Sequence, residues 1–223
     1  MRHMRSFVVL GMGRFGQSVA KTLYKLEYEV LAIDTNDEIV QHMTDYVTHA
    51  VVGDVTDESV LRALGIRNFD VAVVTIGGDI QASILVTLML KEMGVKHIVA
   101  KAQSDIHGRV ISKVGADRVI SPEKDMGVRV AHNLVSSNIL DYIELSPEYS
   151  IVEIQAPKKW INKSLIALNV RVHYGINIMA IKKGEDINIS PKADDVIEAN
   201  DILVIIASNV DINKLERKSL GDD

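Results

Sequence analysis

The chain has 223 residues, 47% of them hydrophobic and 25% charged, with a net charge of −5 and no cysteine. That length exceeds one average domain and falls short of two large ones, and the apolar fraction is enough for a buried core. The acidic balance, with no Lys/Arg-rich block, argues against a nucleic-acid binder, and the missing cysteines exclude disulfides, thiolate zinc sites and a cysteine nucleophile.

The N-terminal Met1-Arg2-His3-Met4-Arg5 is basic but runs straight into a strand-like segment, with no signal-peptide core. Met1 to His3 read either as native or as an addition ahead of a start at Met4. Short apolar runs then alternate with helical patterns. Residues 7–10 precede a helix over about 15–27, and 30–33 precede one over about 38–46. Residues 50–52 lead to a short helix near 59–64, and 71–74 to a longer one over 79–93. Residues 98–100 precede a helix near 106–114, and 119–120 end the series. The most apolar helix includes Gln81, Ser83, Thr87, Lys91 and Glu92, whereas a bilayer span needs about 20 continuous apolar residues. Continuous apolar strands alternating with helices predict a Rossmann-like, doubly wound parallel sheet covered on both faces.

Ser121-Pro122-Glu123 reads as a helix start, with Ser at the N-cap and Pro at the first helical position. Met126, Val130 and Leu134 follow as one narrow apolar stripe, and the polar Ser136-Ser137-Asn138 closes the helix. We place the domain boundary there, giving 1–137 and 138–223. Beyond it, 149–154 alternates with period two, a short helix over about 162–168 intervenes, 176–181 enters a hairpin turn, and 201–206 is a buried strand. This predicts a small α+β domain.

Gly11-Met12-Gly13-Arg14-Phe15-Gly16 follows the first strand and opens the first helix. Gly11 permits the tight turn, Gly13 lets the backbone approach a phosphate, and Gly16 lets helix and strand pack closely. Asp34 ends the second strand, followed by Thr35, where a carboxylate accepts hydrogen bonds from a ribose. Asp54 and Val55 follow the third strand, Ile76 and Gly77 the fourth, Lys101 the fifth, and Glu123 lies past the sixth. All fall at the edge where open α/β sheets take ligands. Taken singly, each is an ordinary solvated loop residue. The Arg14 guanidinium suits the phosphates of ATP or ADP. Glu123 would need Mg²⁺ or Ca²⁺ between it and those phosphates. NAD(H) is the alternative ligand.

No hydride-transfer acid/base residue stands out. His49 and His97 sit beside strand starts, His42 and His132 lie in predicted helices, and His107 is near the ligand edge without an evident partner. There is no GxSxG elbow, no HExxH, no GxxxxGK(S/T) P-loop and no His/Asp cluster with metal spacing, so a noncatalytic binding module is the simpler reading.

With these strings in view the chain resembles the RCK (KTN) regulatory subunits of bacterial Ktr and Trk potassium transporters, in the single-copy Ktr form. The resemblance rests on Val9–Gly16, on Gly65-Ile66-Arg67-Asn68-Phe69-Asp70 and on Gly115-Ala116-Asp117-Arg118-Val119-Ile120-Ser121-Pro122-Glu123. It continues through Asp125-Met126-Gly127 into the small domain. It implies a cytoplasmic regulatory subunit that gates potassium uptake and is no enzyme, sitting on the inner face of the membrane through a membrane-embedded translocating partner. Its N-domains would pair and build an octameric ring, with ATP and ADP favouring different ring shapes. Arg14 would reach a terminal phosphate, possibly that of a neighbouring subunit's ligand. Asp34 would hold the ribose, Asp54 and Val55 would border the adenine, Lys101 would line the pocket, and Glu123 would take part in cation binding. In the RCK-C-like domain, 169–178 with Pro191 matches a cyclic di-AMP site. There Arg171 would pair with a phosphate, Asn177 would hydrogen-bond, and Ile166, Ile178 and Pro191 would enclose a purine beside His173 and Tyr174. The competing account of that segment is an ordinary strand core with exposed polar neighbours. The rival functions are a small NAD(P)-dependent oxidoreductase or NAD-sensing module and a redox-sensing transcription factor.

Overall fold

The structure, a computed structural model, describes residues 5–135 and 139–220. Met1 to His3, the side chain of His132 and the expected junction after residue 137 lie outside the described residues. Backbone contacts divide the chain into two compact units, Met1–Glu123 and Lys124–Asp223.

The first unit alternates strand and helix as expected. β1 (Ser6–Leu10), α1 (Arg14–Lys25), β2 (Glu29–Asp34), α2 (Asp37–Met43) and β3 (His49–Val52) form its first half. The second half is α3 (Glu58–Ala63), β4 (Val71–Val74), α4 (Ile80–Glu92), β5 (Ile98–Lys101), α5 (Asp105–Val114) and β6 (Arg118–Ile120). The sheet order is β3-β2-β1-β4-β5-β6 with every pairing parallel. Strand side chains alternate between two cores. Val8, Leu10, Leu31, Ile33, Ala72 and Val74 face one layer with Leu61, Val86, Leu90 and Ile111, while Val9, Val30, Ala32 and Val73 face the other with Ala20 and Met43. Burial on both sides explains why these strands read as unbroken apolar runs. Because the order reverses between β1 and β4, the connections leaving their carboxyl ends diverge, which opens a crevice there.

Helix α6 (Pro122–Val135) starts where the Ser-Pro-Glu signal predicts. Its apolar stripe is on the surface: Met126, Val130 and Leu134 are 54%, 46% and 81% exposed.

The second unit is an antiparallel sheet of order β10-β9-β11-β8-β7 with short helices. Its elements are β7 (Ile139–Ser146), β8 (Tyr149–Gln155), α7 (Leu165–Leu168), α8 (Val170–Tyr174), β9 (Asn177–Lys183), β10 (Asp186–Asn188), β11 (Ile202–Ser208) and α9 (Asn209–Leu220). Trp160, Val152, Ile176, Ile181, Ile197, Leu203 and Ile205 build its core.

Sequence periodicity missed three features here. Register shifts at Leu140 and near Leu145 break the alternation of β7, which hides its strand signal. Among the described residues only Ile212 and Leu215 of α9 pack into the core, too few apolar positions to announce a helix. Residues 170–174 are a helix and not a strand, and the helix expected from residue 162 begins at Leu165. Asn162 has φ 63° and Asn169 φ 42°, so left-handed residues punctuate this segment. Ser164 then caps the first turn through Ala167 N–H.

Ile181 is 1% exposed in this core. Ile181→Ala is expected to cost about 2–5 kcal/mol, as buried large-to-small changes do. Urea unfolding followed by fluorescence of Trp160, the single tryptophan, reads this unit alone. An unshifted midpoint would contradict the packing described.

Candidate functional site

The turn after β1 is pinned from three sides. Gly11 N–H donates to Ile33 O at 2.8 Å, Thr75 N–H to Leu10 O at 2.9 Å, and the Thr75 hydroxyl to Gly11 O at 2.5 Å. Gly11 has φ +97°, in the region that favours glycine. A Cβ on Gly16 would stand 2.1 Å from Gly11 O and 2.6 Å from Thr75 Oγ1, so α1 can rest this close to the turn only with glycine there. A Cβ on Gly13 would meet nothing within 4 Å, so this glycine faces open space.

Helix α1 begins at Arg14 with Gly13 as its N-cap and has no side-chain cap. By contrast α2, α3, α4 and α5 are capped by Asn36, Asp57, Asp79 and Ser104. The first-turn N–H groups of Arg14, Phe15 and Gly16 therefore lack both intrahelical acceptors and a cap, and they carry the positive end of the helix dipole. The Met12 N–H is engaged: it donates to Asp34 Oδ2 at 2.5 Å.

Two connected hollows flank this turn. One, of about 400 Å³, is lined by Gly11, Gly13, Asp34, Thr35, Asp54, Val55, Ile76, Gly77 and Asp79 among others. The second, of about 620 Å³, is lined by Gly13, Arg14, Phe15, Ser18, Thr75, Gly77, Gly78, Lys101 and Glu123. Every first-unit residue expected at the site except Met12 and Gly16 lines one or the other. Those two are fully buried behind the turn and shape it.

The hollows differ in charge. Asp34 Oδ1 accepts from Asn36 N–H at 2.9 Å, so both of its oxygens are anchored by backbone. Asp54 Oδ1 accepts from the Thr56 hydroxyl at 2.6 Å and Thr56 N–H at 2.9 Å. These bonds, the hydroxyl first, hold its carboxyl below the usual range. In the second hollow Lys101, 9% exposed, pairs with the Glu123 carboxylate. That hydrogen bond lowers the pKa of Glu123, and the Lys101 ammonium lies 5.9 Å from the centre of the Phe15 ring.

No group of three or more His, Asp or Glu side chains comes together as a metal cluster among the described residues. Glu123 is one carboxylate already facing an ammonium, so this donor set does not hold a divalent cation alone.

Sequence reasoning did not single out Asp79 or Gln103. Asp79 caps α4 at 2.9 Å and lines the acidic hollow, and the strand-edge rule that found Asp54 also reaches it. Gln103 Nε2 donates to Gly77 O at 2.5 Å, linking the loops after β4 and β5. No local signal announces that contact. His107, 1% exposed, accepts Gln103 N–H on Nδ1 at 3.2 Å and packs inside α5. Its Nε2 has no hydrogen-bond partner among the described residues.

In the second unit Arg171 Nε donates to Asn177 Oδ1, so two residues expected to share a site do meet. Ile166 is 69% exposed, and its N–H donates to Ala193 O at 2.7 Å, which brings the segment after Pro191 beside α7. His173 is exposed. Tyr174 packs edge-on against Trp160 at 5.0 Å, and Ile178 also leans on the core.

The TrkA-N domain family matches residues 7–122 and the TrkA-C domain family residues 149–219. The chain is 50% identical to Ktr system potassium uptake protein C of Bacillus subtilis (strain 168), over 97% of this chain and 98% of that protein. It is 33% identical to Ktr system potassium uptake protein A of Vibrio alginolyticus, over 91% and 92%. Among solved structures, the RCK domain of GsuK aligns with TM-score 0.69 at 16% identity, covering 99% of this chain and 48% of that one. The GsuK channel bound to NAD aligns with TM-score 0.68 at 16% identity, covering 98% and 40%. At that identity the likeness is one of fold.

Gly16→Ala is expected to destabilise the first unit by about 3 kcal/mol or more, since backbone and not a flexible side chain blocks the new methyl. Gly13→Ala should stay within about 1 kcal/mol of the parent. Calorimetric melting of both variants separates the two; equal losses would refute the packing.

Burial pushes the His107 pKa down, so the unfolded chain takes up a proton first as pH falls. The stability contributed by this neutral ring is complete above about pH 6.5 and is lost as pH drops below that value. Between pH 7 and 5 the first unit of the parent should therefore lose more thermal stability than that of His107→Gln. Identical slopes would remove His107 as a source.

Proposed function

The chain belongs to the TrkA-N/TrkA-C family of Ktr potassium uptake proteins, and from that premise we propose that it gates a potassium transporter by binding ATP or ADP at the glycine turn. Its relatives are named as potassium uptake proteins of the Ktr system. The observation that carries the reading is the uncapped start of α1, flanked by Arg14 and Lys101 and opening onto a cleft whose far wall is acidic.

An anion seats on the free N–H groups of Arg14, Phe15 and Gly16, where the helix dipole favours negative charge. Asp34, fixed by two backbone bonds, keeps acceptor capacity for ribose hydroxyls. Asp54 and Val55 border the base. Arg14 is exposed on the first turn and has room to fork onto a terminal phosphate, its own ligand's or a neighbour's. Lys101 would turn its charge from Glu123 toward the phosphates, and the Glu123 carboxylate would then be free to help hold a Mg²⁺ or Ca²⁺ ion, which would screen the phosphate charge.

Activation needs ATP to prefer the active assembly more than ADP does, because equal affinity for both states shifts nothing. The assembly proposed is a homo-oligomer of paired N-domains, closed as an eight-subunit ring beneath a membrane-embedded potassium-translocating subunit. It lies in the cytoplasm. None of the described helices is long and apolar enough to cross a membrane, which fits attachment through that partner. In the second unit Arg171, Asn177 and Ile166, with His173 and Pro191 near them, are proposed to take cyclic di-AMP across a twofold interface. The second reading is an NAD(H)-sensing module, which the same turn and Asp34 favour.

Calorimetric titration with ATP, ADP and NADH decides between them. ATP should bind at least as tightly as ADP, and Arg14→Ala should cut the preference for ATP by about tenfold, the equivalent of ~1.4 kcal/mol. Unchanged discrimination would count against Arg14 as the sensor, and NADH binding in place of adenine nucleotides would replace the reading.

A further inference from the structure

We propose that Gln103 and His107 form a positioning relay for the loop after β4, and that through it the affinity of the cleft for an adenine nucleotide falls in mildly acidic solution. This rests on the nucleotide reading given above and adds a regulation to it.

The loop lies where the two halves of the cleft meet. Gly77 lines the acidic hollow and the basic one, and a Cβ placed on it would stand 3.8 Å from the Lys101 ammonium nitrogen. Thr75 ahead of the loop is tied to Leu10 O, and Asp79 behind it caps α4. Between those anchors the tie is the bond from Gln103 Nε2 to Gly77 O. Among the described residues no other hydrogen bond reaches Ile76, Gly77 or Gly78.

Gln103 is itself held from behind. Its N–H donates to His107 Nδ1 at 3.2 Å, and His107 N–H donates to the Ser104 hydroxyl at 3.2 Å. This resembles a capping box, in which a side chain one turn into the helix reaches back to a backbone N–H ahead of it. The usual acceptor there is Glu or Gln. An imidazole nitrogen accepts only while the ring is neutral, and with Nδ1 accepting, the neutral ring carries its proton on Nε2.

Protonation turns Nδ1 into a donor facing the Gln103 N–H, and that bond is lost. It also places a charge on a side chain 1% exposed, in the first turn of α5, where the helix dipole is positive. α4 and β6 pack against α5. The charged residues are Asp105, Arg109 and Lys113 on α5 itself, Lys91 and Glu92 on α4, and Arg118 on β6, all exposed. Lys101 and Asp79 are engaged with Glu123 and with Ala82 N–H. Burial accordingly holds the His107 pKa below its ordinary value. The relay is intact at neutral pH and opens as pH falls below about 6.5, which frees the loop beside the bound phosphates.

The test is calorimetric titration of the full chain with ADP at pH 7.5 and pH 5, each variant compared with itself. The parent's affinity should fall at least about fivefold more across this interval than that of Gln103→Ala, which cuts the tie to Gly77 and leaves the backbone bond to His107. His107→Gln supplies an acceptor that does not titrate, so its affinity should also change less than the parent's. At pH 7.5 it should bind ADP more tightly than His107→Leu, which has no acceptor. Gln103→Ala should keep the parent's loss of thermal stability in acid, a readout that separates the relay from a merely structural histidine. Equal pH ratios in the parent and Gln103→Ala would overturn the proposal and leave nucleotide binding intact. A ratio in His107→Gln as large as the parent's would overturn His107 as the titrating group. Failure of ADP to bind the parent at pH 7.5 would overturn the nucleotide reading, and the relay with it.

Discussion

The close approach of α1 to the ends of β1 and β4 is the constraint on which the rest depends. Gly16 leaves no space for a side chain between α1 and the Gly11 carbonyl, and the Thr75 hydroxyl bonds that same carbonyl from the neighbouring strand. Helix and sheet are therefore fixed with the uncapped first turn of α1 lining the crevice where strand order reverses. A helix held further off would need an N-cap side chain, and that side chain would occupy the place of an anion.

The distribution of charge follows from this geometry. Carboxyl ends of parallel strands gather loop residues from distant parts of the chain along one edge, and the reversal between β1 and β4 sorts them onto its two sides. Acids from the end of β2 and from the loops after β3 and β4 line one side, while Arg14 and Lys101 line the other. Lys101 is nearly buried and needs a counter-charge, which Glu123 provides. That pair joins the end of β5 to the first turn of α6. A ligand phosphate competing for Lys101 would act directly on where α6 begins, the kind of local charge exchange that can bias a two-state element.

The second unit relies on a different interaction. Its antiparallel sheet buries one face around Trp160, Ile176 and Leu203, and Tyr174 spends its ring on that core. Exposed polar and apolar groups, with Arg171 bonded to Asn177 and Ile166 outward, are left on α7, α8 and the start of β9. A surface built from short helices around left-handed asparagines is more easily reshaped than the parallel sheet, because fewer hydrogen bonds hold each piece.

Local pattern alone determined the parallel sheet, the glycine turn and the carboxyl-edge residues, because strands buried on both faces read as apolar runs and the turn demands glycine at fixed spacings. It also marked the start of α6 through Ser121, Pro122 and Glu123. Only the tertiary structure decided that Asp34 anchors Met12 N–H, that Lys101 faces Glu123, and that Gln103 reaches Gly77 O. Those partners are 22, 22 and 26 residues apart. β7 and α9 escaped for the complementary reason: register shifts scramble the period of one, and the other shows too few apolar positions to reveal a face. Periodicity reports which way a residue points relative to its neighbours in sequence. Which charge it meets is set by the winding of the sheet, and no short window contains that.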